Sequence, residues 1–167
     1  MALQGKFVVN NEEFSPLVIF GVGSFMAFSG QGAYRNQSGC GYIRGNGPIP
    51  AGRYWVVDRP VGGIRSQALA WVYDFAAGSN RSEWFALYRD DGMIDDYTWV
   101  SGVNRGNFRL HPGTISEGCI TLSQYSDFQS VRNASLRTST VLVRNTGLRA
   151  YAMIEVIDSS SICRVVK

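Results

Sequence analysis

The sequence predicts a mainly β fold with one or two helices. Two observations carry that expectation. Short runs of β-branched and aromatic residues recur between turn signals along most of the chain. The composition is also rich in glycine, with 19 in 167 residues, and poor in charge at 17%, a mixture that suits many short strands joined by tight turns. At this length a single domain, residues 1–167, is expected, with enough apolar material to bury a core without metal support.

The elements follow in order. "KFVVN", "PLVIFG" and "SFMAFSG" read as strands. Residues 29–47, "SGQGAYRNQSGCGYIRGNG", are too glycine-rich to hold a regular element and read as a loop. In "GPIPAGRYWVVDRP" the prolines fix an extended entry, Gly52 turns it, and "RYWVVD" makes a strand. Ile64, Leu69, Val72 and Phe75 stand near helical spacing, with Gly78 as a stop, so residues 64–78 are read as a helix. "EWFALYRDDG" is a strand running into an Asp-Gly turn, and "NFRLH" is a short strand ending at His111. From about Ser123 the period changes, with Leu122, Tyr125, Phe128 and Val131 recurring every three residues, which predicts a helix. "TVLVR" and "YAMIEVID" close the chain as strands.

Charge and hydropathy exclude some classes of function. The net charge of +3 is spread along the chain, and the absence of a Lys/Arg cluster argues against nucleic acid as a partner. A weak positive charge suits an anionic polymer such as bacterial cell wall. The most apolar stretch, "PLVIFGVGSFMAF", is too short to span a bilayer, so no membrane insertion is expected. The N-terminus lacks a charged segment followed by an apolar run, so no signal peptide is expected either.

The chemistry concentrates in "FRLHPGTISEGCITL", residues 108–122. It holds the single histidine of the chain, His111, and one of three cysteines, Cys119. A thiol attacks as thiolate and needs a base or a positive field beside it. Any Cys/His pair here must therefore use His111. "PG" ends the strand after His111, and "TISEG" is long enough to loop back. Gly118 permits a sharp turn or positive φ before the nucleophile. It also lets a carbonyl approach the backbone, where the N–H groups of Gly118 and Cys119 are natural oxyanion donors. The helix that follows is expected to help lower the thiol pKa through its dipole. Arg109 lies two residues from His111 on the same strand face and either binds a substrate carboxylate or is an ordinary surface arginine. Cys40 and Cys163 either pair, leaving Cys119 free, or all three remain thiols. One histidine with scattered cysteines does not make a zinc site, so no metal and no other cofactor is expected.

Three segments carry a resemblance to a known family. "FSGQG" from Phe28, "GPIPAGRYWVVDR" from Gly47 and "FRLHPGTISEGCI" from Phe108 resemble, in series, motifs of type VI secretion effectors with L,D-carboxypeptidase and L,D-transpeptidase-exchange activity. These effectors are related to the YkuD-type L,D-transpeptidases of peptidoglycan. The resemblance implies a YkuD-like β-sandwich or open barrel. It implies Cys119 as nucleophile and His111 as general base. Cys119 would attack the carbonyl of the third residue of peptidoglycan tetrapeptide stems and expel the terminal D-alanine. Water or another D-amino acid would then resolve the thioester. Ser116 matches the family's serine and would orient His111 or simply cap the turn; Tyr34, Arg35 and Asn36 would line the cleft or only decorate a loop. The expected partners are the stems, a cognate immunity protein and the type VI secretion machinery. The implied itinerary is synthesis in the cytoplasm, then secretion into the periplasm of a target cell.

This chain departs from the cross-linking enzymes in three ways. Glu117 replaces the histidine of their "S-H-G-C", the His–Cys gap is shorter, and Thr121 stands where a basic residue often follows. Trimming or exchange is therefore expected over cross-linking. The alternatives are a cysteine amidase cutting elsewhere in the stem, or a non-catalytic wall-binding or inhibitor domain. A histidine base predicts activity that falls on acidification.

Overall fold

A computed structural model describes residues 1–60 and 81–165. The helix expected over 64–78 lies outside the described residues. The mainly β expectation holds. Eight strands close into a barrel: β1 (Leu3–Val9), β2 (Ser15–Ile19), β3 (Gly23–Phe28), β4 (Gly52–Asp58), β5 (Phe85–Arg89), β8 (Arg109–Pro112), β9 (Ile120–Leu122) and β12 (Ala152–Asp158). Round the barrel the order is β1-β12-β4-β5-β8-β9-β3-β2, and β2 returns to β1. The barrel is closed, where the sequence left sandwich and open barrel as alternatives. Closure leaves no edge strand with unpaired backbone groups.

Alternation builds the core. Phe7 and Val9 of β1, Leu17 and Ile19 of β2, Tyr54 and Val56 of β4 and Ile154 and Val156 of β12 point inward, while Lys6 and Glu155 face water. The helix α1 (Tyr125–Arg137) adds Phe128 and Val131 to the same core, as its three-residue spacing predicted. Asp127 in its first turn and Arg137 in its last complement the helix dipole.

Two small antiparallel pairs stand outside the barrel, and of their strands only the one inside "TVLVR" was expected. One is β6 (Tyr97–Val100) with β7 (Val103–Gly106); the other is β10 (Val141–Leu142) with β11 (Arg149–Ala150). The first turns on Ser101 and Gly102, at φ 49 and 79, values a two-residue hairpin with the strand twist requires. The Ser-Gly dipeptide was the available signal.

Cys40 and Cys163 form a disulfide, which ties the glycine-rich loop to the segment after β12, and Cys119 is a free, buried cysteine.

Candidate active site

Strands β8 and β9 run parallel, with Leu110 opposite Ile120, His111 opposite Thr121 and Pro112 opposite Leu122. Parallel neighbours usually need a long crossover; here only residues 113–119 intervene. Gly113 and Gly118 make that possible, at φ 139 and 107, where a side chain is strained. A Cβ at Gly118 would also overlap the Arg105 guanidinium. The positive φ expected before Cys119 is present.

Leu110, Ile120 and Leu122 belong to the barrel core. By alternation Arg109 and His111 on β8 take the outer face, together with Thr121 on β9 and Cys119 just before it. The two candidate residues thus share one face through backbone pairing alone. All three side chains His111, Cys119 and Thr121 are buried, with Cys119 8% exposed.

His111 is held on three sides. Its Nδ1 lies 2.7 Å from the Pro112 carbonyl. A carbonyl only accepts, so Nδ1 carries the proton and Nε2 is the basic nitrogen. Nε2 faces the Thr121 hydroxyl at 3.2 Å. The ring stacks on Trp84, centroids 4.2 Å apart and planes 22° apart. Burial holds its pKa down to about 4, and the charges of Arg81 and Arg109 push the same way against the Pro112 hydrogen bond.

Cys119 Sγ accepts the Arg109 backbone N–H at 3.3 Å and lies 3.8 Å from the Asn107 carbonyl. Burial raises its pKa to about 11. The Arg109 N–H and the Arg109 and Arg105 charges oppose that shift, and Glu117 adds to it. The dipole expected to lower this pKa does not act: α1 begins at Tyr125, with β9 between it and the cysteine, and the effect fades within a turn. Among the described residues no hydrogen bond joins Sγ to the imidazole.

The other expected residues fall as follows. The Ser116 hydroxyl donates to the Cys119 carbonyl at 2.8 Å and accepts the Gly30 N–H at 3.1 Å. It fastens the loop before Cys119 to the "FSGQG" segment, and the hydroxyl against His111 belongs to Thr121. Arg109 is gripped by both oxygens of Asp96, at 2.7 and 2.8 Å, so a substrate carboxylate would find only its remaining N–H donors. Tyr34 ends a short 3-10 turn and is half-buried. Its neighbours Arg35 and Asn36 are architectural: Arg35 lies over the Phe14 and Phe28 rings, and the Asn36 side chain bonds Ser29 N and the Glu12 and Glu13 carbonyls. Among the described residues no group of His, Cys, Asp or Glu could hold a metal, and no helix is long and apolar enough to cross a membrane.

Arg105 carries no local signal that marks it in the sequence. It is 3% exposed. Its guanidinium donates to the carbonyls of Gly41, Gly47, Pro48 and Glu117, at 2.6 to 3.3 Å. One side chain of β7 therefore ties the "GPIP" segment to the residue before Gly118. Ser29 joins the same assembly by accepting the Ile49 N–H at 2.8 Å. The three motifs, distant in sequence, meet around residues 113–119. A family model, the Tlde1 domain, matches residues 23–146.

The chain belongs to the Tlde1 domain family.

That family comprises type VI secretion effectors of the L,D-transpeptidase class, and its model spans every site residue named above. Its members are peptidoglycan-modifying enzymes. Strands β1, β2, β11 and β12 and Cys163 lie outside the match, and β1, β2 and β12 close the barrel on the five barrel strands inside it. No curated protein and no solved structure matches the chain.

Proposed function

We propose that this protein removes the terminal D-alanine from peptidoglycan tetrapeptide stems, or exchanges it for another D-amino acid, with Cys119 as nucleophile and His111 as base. The observation that carries the proposal is the β8–β9 pairing, which sets the single imidazole and the one free thiol on the same buried face.

The chemistry follows from the two pKa shifts. With His111 near 4 and Cys119 near 11, both groups rest neutral, and a standing thiolate–imidazolium pair is strongly disfavoured. Proton transfer must accompany attack. The S–H bond breaks as the C–S bond forms, the proton goes to Nε2, and the carbonyl electrons move onto oxygen. Among the described residues no backbone acceptor takes the N–H of Gly118 or Cys119, and these donors suit that oxyanion. The imidazolium then protonates the departing amine. Water, or a D-amino acid amine, resolves the thioester by the same steps in reverse.

The disulfide fits action in an oxidising compartment, which agrees with delivery to the periplasm of a target cell. A cognate immunity protein is the corresponding partner. Glu117 is exposed and its charge disfavours the thiolate.

Incubation with purified muropeptides, read by mass spectrometry, tests the proposal. Loss of one alanine from the tetrapeptide is expected, and its exchange when a free D-amino acid is added. Cys119→Ala should abolish both. A cut between the second and third residues would indicate an amidase, and binding without any product would indicate a wall-binding domain; either result overturns the assignment.

A further inference from the structure

Thr121 stands where the cross-linking enzymes often carry a basic residue, and its side chain meets the base. Oγ1 lies 3.2 Å from His111 Nε2 and 3.4 Å from the Ile115 carbonyl. Thr121 itself is 0% exposed. We propose that Thr121 is the positioning residue of His111, its hydroxyl turning from donor to acceptor as the ring takes up a proton. The inference rests on the reading of His111 as the base.

The Pro112 carbonyl keeps Nδ1 protonated in both states of the ring, so only Nε2 changes. In the neutral ring Nε2 is a lone pair, and the Thr121 O–H donates to it. In the charged ring Nε2–H needs an acceptor. Oγ1 supplies one, and its own proton rotates to the Ile115 carbonyl. No proton leaves the hydroxyl: the O–H turns to the Ile115 carbonyl first, which frees the one lone pair of Nε2 for the thiol proton. Burial keeps water from replacing either bond. The β-branched side chain has few χ1 choices in a strand, so the hydroxyl stays on the face that Cys119 shares two residues earlier.

The other groups acting on the ring do not supply this. Arg81 and Arg109 both disfavour the imidazolium. Trp84 stacks on the ring, and the Pro112 carbonyl holds the far nitrogen. Thr121 is the partner at Nε2 itself.

The chain's single histidine makes the test direct. Nitrogen NMR of His111 reports the hydrogen bonding of Nε2 with no need for turnover. Thr121→Val is nearly isosteric and removes both hydrogen-bonding roles. It should move the Nε2 resonance toward that of an unbonded nitrogen. It should lower kcat roughly ten- to a hundredfold, the worth of one hydrogen bond to a charged group, with KM unchanged. The acid limb of the rate profile should also move to lower pH. Thr121→Ser should restore all three. An unchanged Nε2 resonance and rate in Thr121→Val overturns the inference, as does failure of serine to restore them. If the resonance shifts as expected while the wild-type protein leaves muropeptides intact, the pairing stands and the peptidoglycan assignment fails.

Discussion

His111 is neutral over most of the pH range because burial strips the imidazolium of water and two arginines repel it. A histidine base read from sequence alone predicts a rate that falls just below neutrality. The folded environment moves that fall to about pH 4. The expected kcat/KM profile is therefore flat from mildly acidic to neutral pH, with loss only as the pH approaches 4. A drop centred on the ordinary histidine value would show that the ring is solvated in the working enzyme. Glu117 gives a second residue-scale prediction. Its carboxylate raises the Cys119 pKa, so Glu117→Gln should lower the thiol pKa and speed alkylation of Cys119 by iodoacetamide at a fixed pH. The effect should be modest, about two- to fivefold, because Glu117 is exposed and solvent screens it.

At the scale of elements, the hairpin β6–β7 is what the sequence reading lacked, and it bears on the site twice. Asp96 just before it grips Arg109, and Arg105 on β7 supports the loop before Cys119. Arg105 is a buried cation whose guanidinium is satisfied by carbonyl oxygens spread over three segments. Lysine carries its donors at one point and cannot span them. Arg105→Lys should cost about 2–4 kcal/mol of stability, since buried carbonyls lose their partners. Its activity should drop further than the melting shift explains, because Glu117 and Gly118 lose their anchor. Thermal melts and rates measured well below the melting temperature separate the two effects. Full activity at low temperature would mean that Ser116 holds the loop alone.

At the scale of the whole molecule, the disulfide spans a sequence separation of 123 residues. In the chain-entropy description a loop of that size is worth about 5 kcal/mol. A Cys40→Ser/Cys163→Ser variant should melt markedly lower than the oxidised protein, and reductant should destabilise the wild type in the same way while leaving the variant unaffected. Equal melting of the two would show that the bond adds no stability. Stability should also depend on pH through His111. Its folded pKa, near 4, lies below the unfolded value near 6.5, so the unfolded chain binds more protons between those values. Stability is full above about 6.5 and falls as pH drops toward 4, by about 3 kcal/mol in total. His111→Gln should remove that portion of the acid sensitivity, as denaturant melts across the range would show.

The sequence by itself determined the β-rich class, most strands, the helix after β9 and the identity of the one possible base. These are local or compositional properties: alternation, three-residue spacing, turn residues and the presence of a single imidazole. It also pointed to Gly118, where a positive φ has a local signature. Only the tertiary structure decided that the barrel closes, that Cys40 pairs with Cys163, and that Asp96, Arg105, Trp84 and Thr121 surround the pair. Those contacts join residues far apart in the chain, and no periodicity encodes them. Thr121 is the partial exception, since its place two residues after Cys119 in a strand puts both on one face. The pKa values were beyond the sequence for the same reason: desolvation dominates both, and burial is a property of the folded molecule.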